Sequence, residues 1–192
     1  AYVDEVMARN LRQLGVMDSK RIGSDSRIGT LAKQMREAGV VHEVITIGPQ
    51  RYNELYAKFA NLNKLLAWGH AKIIENLLER VPGCPRALSD QFANPKVLER
   101  ALQARGKAIV LEQRTKAESD PAVAAASIFA REGFVRWLDE AGARYGVPLP
   151  KGVSPAVKLN AGELVARHGR AILGQVAKMH FRTAAEIIGG TP

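Results

Sequence analysis

The chain has 192 residues, of which 46% are hydrophobic and 24% charged, a composition typical of one globular domain and not of a disordered segment. Lys and Arg outnumber Asp and Glu by 28 to 19, and the net charge of +9 favours a polyanionic partner. The single cysteine, Cys84, excludes an intramolecular disulfide and a cysteine zinc cluster. No apolar run approaches the roughly 20 residues that cross a bilayer. We therefore expect a cytoplasmic protein with no membrane partner.

The first third of the chain predicts two helices and a strand. Residues 4–14 carry apolar side chains at helical spacing, and Gly15 ends that helix. A second helix, capped by Ser24 and Asp25 and ended by Gly39, is predicted over residues 24–37. Residues 40–47 are β-branched and about one strand long, and the pair Gly48-Pro49 closes the predicted strand.

The central part begins with a predicted helix over residues 62–78, where leucines and isoleucines fall on one face. Residues 86–89 predict a short strand that leads into Asp90. A proline opens a further predicted helix over residues 95–104, and residues 107–112 predict a second short strand.

The last third is predicted to be helical. Residues 121–141 form a helix that begins with small side chains, and the loop at 146–155 contains three prolines. Two amphipathic helical stretches follow, at 156–168 and 170–178. The alternation of helices with a few strands predicts an α/β fold whose central sheet is flanked by helices. Because no internal repeat or long linker divides the chain, we predict a single domain over residues 1–192.

Three carboxylates stand out by their position. Asp90 follows a short strand, and open α/β sheets bind ligands outside their strand ends, although a helix cap or a turn is the commoner role of such an Asp. Glu118 and Asp120 precede the small-residue helix, where Asp120 alone favours an N-cap. Carboxylates from two segments could hold Mg²⁺ or Mn²⁺, which prefer oxygen ligands. Their spacing does not establish that they meet.

Five groups of residues resemble, in order, those of ribonuclease HIII in the type 2 ribonuclease H family. They are GVMDSK at 15–20, NLNKLLAWGH at 61–70, SDQF at 89–92, TKAE at 115–118 leading into AVAAASI at 122–128, and a tail with PKG at 150–152 and AKMHF at 177–181. The resemblance covers nearly the whole chain. The segments NLNKLLAWGH, SDQF and KMHF favour ribonuclease HIII over its HII relatives.

The resemblance implies a ribonuclease H-like fold with a central mixed sheet and a helical C-terminal part. It implies an endoribonuclease that hydrolyses the RNA strand of RNA–DNA hybrids with Mg²⁺ or Mn²⁺, leaving 5′-phosphate and 3′-hydroxyl ends. Four acidic residues cluster in this family. Asp90 matches the third, a metal ligand, and Glu118 matches the fourth, where many relatives carry Asp. Because the side chain of Glu118 is one methylene longer than the Asp of those relatives, Asp120 remains a competing catalytic candidate.

The resemblance also implies contacts with the hybrid substrate. The Asp-Ser-Lys segment matches one that borders the hybrid backbone, where Lys20 would contact a phosphate. Ser127 lies in the small-residue helix and could face the site. The predicted nucleic-acid-binding residues are Asp18, Ser19, Lys20, Asn61, Asn63, Lys116 and Ser127.

The first two acidic residues of the family form an Asp-Glu pair on its first strand, inside a glycine-rich segment. Asp4-Glu5 has the right residue types, but no Gly-Lys-Gly or Gly-Arg-Gly follows it. The interval from Glu5 to Asp18 is also too short for the family's glycine loop and second strand. We therefore expect a partial catalytic domain that lacks the first-strand segment and has impaired activity. The alternatives are a basic nucleic-acid-binding fragment without catalysis and a fragment that does not fold alone. We expect a monomer without an obligate protein partner.

Overall fold

The computed structural model describes residues 1–103 and 105–189, and these fall into two compact units. That residues 1–192 form one partial catalytic domain stays a prediction. The first unit comprises Ala1–Ile45 and Asn61–Gly133, and the second comprises Thr46–Ala60 and the described residues from Phe134 onward.

The first two helices confirm the sequence prediction. They are α1 (Glu5–Gln13) and α2 (Asp25–Glu37), and in each the residue before the first turn accepts a backbone hydrogen bond through its side chain. Gly15 and Gly39 follow these helices with φ angles of 78° and 80°. Because side chains other than glycine rarely adopt that conformation, both glycines end their helices as predicted.

The core of the first unit forms where α1 and α2 meet the start of α6 (Pro121–Tyr145). Burying each large side chain of this cluster stabilises the fold by about 1.5–3 kcal/mol. Two buried alanines of α6, Ala124 and Ala125, belong to the unit, so the small-residue segment packs closely. The fully buried members include Leu11, Ile28, Leu31, Ala32, Met35, Ala125, Ile128 and Phe129.

The helix predicted over residues 62–78 is confirmed as α4 (Leu62–Arg80), but its buried face differs from the predicted apolar face. Ala67 and Ala71 are buried because they pack against α5 (Pro95–Ala101), whereas Leu66, one of the leucines on the predicted apolar face, is 37% exposed. Small side chains let the two helices approach closely. Helix α5 ends before residue 104, the predicted end, which lies outside the described residues.

The sheet of the first unit consists of β1 (Arg86–Asp90) and β2 (Val110–Arg114), which pair in parallel. Asp90 lies opposite Arg114 at the carboxyl ends of the two strands. An isolated antiparallel bridge joins Tyr2 to Val41. The predicted α/β class is confirmed. Strand β2 starts later than its predicted position at 107–112, because a 3₁₀ turn over Gly106–Ala108 precedes it.

The predicted strand at residues 40–47 is wrong beyond the bridge at Val41. Side chains of α4 bind this segment. Arg80 donates to the carbonyl of His42 at 2.8 Å, and Asn76 donates to the carboxylate of Glu43 at 2.9 Å. The composition of this segment predicted a strand, but in the structure the segment is bound to a helix.

The second unit is helical. Its helices are α3 (Pro49–Phe59), the part of α6 from Phe134 onward, α7 (Pro155–His168), α8 (Leu173–Val176) and α9 (Arg182–Gly189). The predicted helix at 156–168 is confirmed as α7, while the stretch at 170–178 contains a 3₁₀ turn followed by the short α8. The core of this unit contains Val147, Leu164, Ile172 and Leu173.

Helix α3 was not predicted. The pair Gly48-Pro49, which was interpreted as the end of a strand, instead begins this helix with Gly48 as its N-cap and Pro49 in its first turn. Proline is favoured there because it has no backbone N–H, and the N–H of a residue in the first turn would find no acceptor within the helix. Across the two described ranges, no helix is both long enough and apolar enough to cross a membrane.

Candidate active site

Asp90 stands at the carboxyl end of β1 with an exposed side chain. Its Oδ1 accepts a hydrogen bond from the backbone N–H of Ala117 at 3.3 Å. Ala117 opens a 3₁₀ turn, Ala117–Ser119, which follows β2 closely. The parallel strands end at the same edge of the sheet, so Asp90 meets the turn that carries Glu118.

Lys116 sets the direction of this turn. Its backbone is left-handed, with φ 56° and ψ 37°, a conformation that is uncommon for residues other than glycine. The reversal of the chain at Lys116 presents the N–H of Ala117 to Asp90, while the lysine side chain stays exposed.

The carboxylates of Glu118 and Asp120 have different surroundings. Asp120 accepts a hydrogen bond from the N–H of Ala122 at 2.8 Å, and its other carboxylate oxygen lies 3.8 Å from a guanidinium nitrogen of Arg114. Asp120 therefore caps the first turn of α6. Glu118 is half-buried, and within residues 1–103 and 105–189 its carboxylate has no hydrogen-bond or ion-pair partner. Glu118 is the carboxylate that retains its lone pairs.

Asp90 and Glu118 supply the hard oxygen atoms that Mg²⁺ and Mn²⁺ prefer, and neither carboxylate is neutralised by an ion pair within the described part of the chain. The residue types present therefore fit a divalent cation. In the same part of the chain, no group of three or more His, Cys, Asp or Glu side chains is placed to hold a metal ion.

A buried serine ties Asp90 to helix α4. The hydroxyl of Ser89 donates to the carbonyl of Asp90 at 3.1 Å and lies 3.3 Å from Nδ1 of His70. The His70 ring also lies against Phe92, with ring centroids 4.9 Å apart. Burial lowers the pKa of His70 from its usual value, and the negative charge of Asp90 opposes that shift more weakly. These contacts join the AWGH and SDQF segments.

Residues 1–184 match the protein family described as ribonuclease HII. The chain belongs to this family. Its helices and small parallel sheet match the ribonuclease H-like fold that was predicted.

Relatives within the ribonuclease HII family confirm the resemblance to ribonuclease HIII. The chain is 42% identical over 188 residues to ribonuclease HIII of Protochlamydia amoebophila, covering 98% of this chain and 62% of that protein. It is 43% identical over 189 residues to ribonuclease HIII of Chlamydia abortus, with the same two coverages of 98% and 62%. The chain thus spans about 62% of the length of these relatives.

A solved structure of the family agrees with this assignment. The crystal structure of Bst-RNase HIII in complex with Mn²⁺ superposes on this chain with a TM-score of 0.88 at 28% sequence identity, covering 98% of this chain and 62% of that one. The similarity therefore extends through nearly all of the present chain.

The Asp-Ser-Lys segment of this ribonuclease HII family member is held by α6. Ser19 donates its N–H to the hydroxyl of Ser127 at 3.2 Å, and Ser127 donates to the carbonyl of Ala124 at 2.8 Å. Asp18 accepts from the backbone N–H of Lys20 at 3.0 Å, and the lysine side chain is exposed. The structure thus brings Ser127 to Ser19, where its hydroxyl supports the turn. Binding of nucleic acid by these residues stays a prediction.

Arg131 also holds this segment, and sequence reasoning missed it. Its guanidinium donates to the carbonyl of Ser19 and, at 2.8 Å, to the carbonyl of Ile22. It forms an ion pair with Asp25 at 2.8 Å. More than one hundred positions separate Arg131 from these partners, so no local pattern could indicate the contacts.

Asn61 and Asn63 lie at the start of α4. The side-chain oxygen of Asn61 accepts from the N–H of Asn63 at 2.9 Å and from that of Lys64 at 3.2 Å, so Asn61 is the helix N-cap. Both asparagines are exposed. No hydrogen bond within the described ranges joins either of them to Asp90 or Glu118. Their predicted contact with nucleic acid stays a prediction.

Proposed function

We propose that the protein is an endoribonuclease that hydrolyses the RNA strand of RNA–DNA hybrids with the help of Mg²⁺ or Mn²⁺. Cleavage would leave 5′-phosphate and 3′-hydroxyl ends. One observation carries this proposal. The hydrogen bond from Ala117 to Asp90 brings two carboxylate-bearing segments to the same strand edge in a member of the ribonuclease HII family.

Asp90 and Glu118 are the residues proposed to hold the metal. A bound divalent cation would stabilise charge on the transferring phosphoryl group and activate a water molecule for attack. The backbone N–H of Ala117 fixes one oxygen of Asp90 and leaves the other for ligand binding. Asp120 is occupied by Ala122, which supports Glu118 as the fourth acidic residue of the family. The Mn²⁺ in the Bst-RNase HIII structure supports this choice of ion.

The hybrid substrate would bind mainly through its phosphates. The net charge of +9 favours a polyanion, and contacts to phosphates position a nucleic acid without reading its sequence. The exposed side chains of Lys20 and Lys116 are proposed phosphate contacts. Asp18, Ser19 and Ser127 would shape the turn that carries Lys20. We also propose that Asn61 and Asn63 contact the nucleic acid.

Two carboxylates give less negative charge than the four that the family resemblance implies. We therefore propose that these 192 residues alone cleave poorly. A second candidate, a nucleic-acid-binding protein without catalysis, is favoured for them by one observation: no larger cluster of potential metal ligands occurs in the described part of the chain.

A cleavage assay on a hybrid with labelled RNA tests the proposal. The two proteins to compare are the 192-residue chain and a form extended by the coding sequence upstream of Ala1, read for an Asp-Glu pair followed by a glycine-rich turn. We expect the extended form to cut with Mg²⁺ or Mn²⁺, and neither form to cut in EDTA. Ligation of the products checks for 5′-phosphate and 3′-hydroxyl ends.

Two outcomes would contradict this assignment. Full activity of an Asp90→Asn variant of the extended form would remove Asp90 from the metal site. Rapid cleavage by the 192 residues alone would show that the first acidic pair was misplaced.

We further propose a cytoplasmic monomer that needs no other protein. The single Cys84 suits a reducing compartment. Light scattering after gel filtration should give one chain mass, and cell fractionation should place the protein in the cytoplasm. A stable dimer mass would overturn the first statement.

A further inference from the structure

We propose that Arg114 binds a backbone phosphate of the nucleic acid beside Asp90, an assignment that rests on the proposed function. Arg114 is the last residue of β2 and lies directly opposite Asp90 in the parallel register. Paired residues of neighbouring strands project their side chains to the same face of a sheet. The guanidinium and the Asp90 carboxylate therefore leave the sheet edge on the same side.

The base of the Arg114 side chain is held in place by the sheet. Its carbonyl accepts a hydrogen bond from the N–H of Gln91 at 3.1 Å, which extends the strand pairing one residue beyond Asp90. A side chain that starts from a paired strand is positioned more accurately than one on a loop. In contrast, Lys20 and Lys116 project from turns.

The present partner of Arg114 holds it weakly. The guanidinium lies 3.8 Å from Asp120, beyond hydrogen-bond distance, and the arginine side chain is 54% exposed. Solvent-accessible ion pairs at this separation contribute little to stability, because solvent screens the charges. Asp120 already accepts a 2.8 Å hydrogen bond from Ala122, so it does not depend on Arg114. A phosphate could replace Asp120 as the partner of the guanidinium at small cost.

The chemistry of arginine suits a phosphate at this place. Its planar guanidinium can donate two parallel hydrogen bonds to two phosphate oxygens, which a lysine ammonium cannot match. A cation at the strand end would also offset the repulsion between Asp90 and the approaching phosphodiester. The proposed role is therefore to position the backbone next to the carboxylates.

The sheet offers a matched control at its other end. Arg86 begins β1, is 60% exposed, and pairs with Glu112 at 3.1 Å. Arg86→Ala and Arg114→Ala remove the same charge from the same two-stranded sheet. Only the second change removes it from the edge that carries Asp90.

The test is fluorescence anisotropy of a labelled RNA–DNA hybrid with the 192-residue chain in EDTA, over a range of salt concentrations. We expect Arg114→Ala to weaken binding by about five- to tenfold at low salt. It should also reduce the slope of log affinity against log salt by about 0.7–0.9, the loss of one phosphate contact. Arg86→Ala should change affinity less than twofold. Arg114→Lys should keep the salt slope but lose about threefold in affinity.

The outcomes separate this inference from the proposed function. Equal binding by Arg114→Ala and Arg86→Ala would overturn the phosphate contact, even if the extended form cleaves hybrids and Asp90→Asn abolishes cleavage. A selective defect in Arg114→Ala without cleavage by any form would support the contact and overturn the enzyme. If Arg114→Ala loses thermal stability, the affinity and salt slope of Arg114→Lys test the phosphate contact instead, because lysine keeps the charge. Wild-type binding by Arg114→Lys, with an unchanged salt slope, would overturn the requirement for a guanidinium.

Discussion

Two carboxylates of the first unit, Glu75 and Asp90, show how differently the fold can use the same chemical group. Glu75 of α4 is 7% exposed, and one of its oxygens accepts from the N–H groups of Gln103 at 2.9 Å and Gly106 at 2.8 Å. Asp90 is exposed, and among the described residues its side chain accepts one hydrogen bond, at 3.3 Å from the N–H of Ala117. The carboxylate of Glu75 stabilises the fold, whereas the carboxylate of Asp90 remains able to bind a ligand.

The difference has a physical cause. A buried carboxylate must be compensated by hydrogen bonds, so its lone pairs are committed to the fold. A carboxylate at an exposed strand end needs no such compensation, and it can exchange water for a cation. Changes at Asp90 and Glu118 should therefore affect chemistry, while changes at Glu75 should affect stability.

The largest expected effect is on cleavage. Glu118→Gln in the extended form should reduce kcat by about 10²–10³, because it removes one of the two proposed ligands of a metal that contributes several kcal/mol. Asp120→Asn should change kcat by less than about threefold, since Asn keeps the oxygen that caps α6. Single-turnover cleavage measures both variants. The reverse ranking would make Asp120 the fourth acidic residue.

Glu75→Ala should give the largest loss of stability. It leaves the N–H groups of Gln103 and Gly106 without their acceptor, at a cost of about 3 kcal/mol, or roughly 10 °C in Tm for a chain of this size. Glu75→Gln keeps an acceptor oxygen and should lose less than half of that. Thermal unfolding by circular dichroism gives both values. Unchanged stability in Glu75→Ala would remove the contrast with Asp90.

A smaller loss is expected at Ser127. Ser127→Ala removes the acceptor for the N–H of Ser19 and should lower the free energy of unfolding by about 1 kcal/mol. The control Ser119→Ala removes an exposed hydroxyl that reaches the carbonyl of Lys116 at 3.3 Å, and it should have little effect. Urea unfolding compares the two. Equal losses would mean that Ser127 does not hold the Asp-Ser-Lys turn.

The smallest effect concerns pH. Burial lowers the pKa of His70 below the unfolded value of about 6.5, so below that pH the unfolded chain binds a proton that the folded chain does not. The stability contributed by neutral His70 is complete above pH of about 6.5 and decreases as the pH falls toward the folded pKa. Urea unfolding across this range, with His70→Asn as the reference, measures the contribution.

The same histidine reports on Asp90. Because the negative charge of Asp90 raises the pKa of His70, Asp90→Asn should lower that pKa further. An NMR titration of the imidazole checks the sign. A higher pKa in the variant would contradict the proximity of His70 to the strand end.

Local patterns predicted those elements whose causes are local. Helices α1, α2 and α4 have periodic apolar residues and polar N-caps, and all three were predicted. The segment at 40–47 has a strand composition, but among the described residues its strand pairing is limited to the bridge at Val41, and side chains of α4 bind His42 and Glu43. Helix α3 was missed because Gly48-Pro49 can equally end a strand or begin a helix.

The candidate site shows the same division. Resemblance to a family identified Asp90 and Glu118 as candidates, whereas our preference for Glu118 over Asp120 rests on the hydrogen bond from Ala122 to Asp120 and stays a proposal. The roles of Glu75 and Arg131 depend on contacts across long sequence distances, which one sequence does not reveal. Arg114 became a candidate only when the strand register placed it opposite Asp90.

The most direct test of the metal assignment is paramagnetic broadening of amide NMR signals by Mn²⁺ in the 192-residue chain. If Asp90 and Glu118 bind the ion, the signals of Asp90, Gln91, Ala117 and Glu118 should broaden first, and the Asp90→Asn/Glu118→Gln double variant should lose this selectivity. Broadening centred elsewhere, or the same pattern in the double variant, would contradict a divalent-cation site at the end of β1.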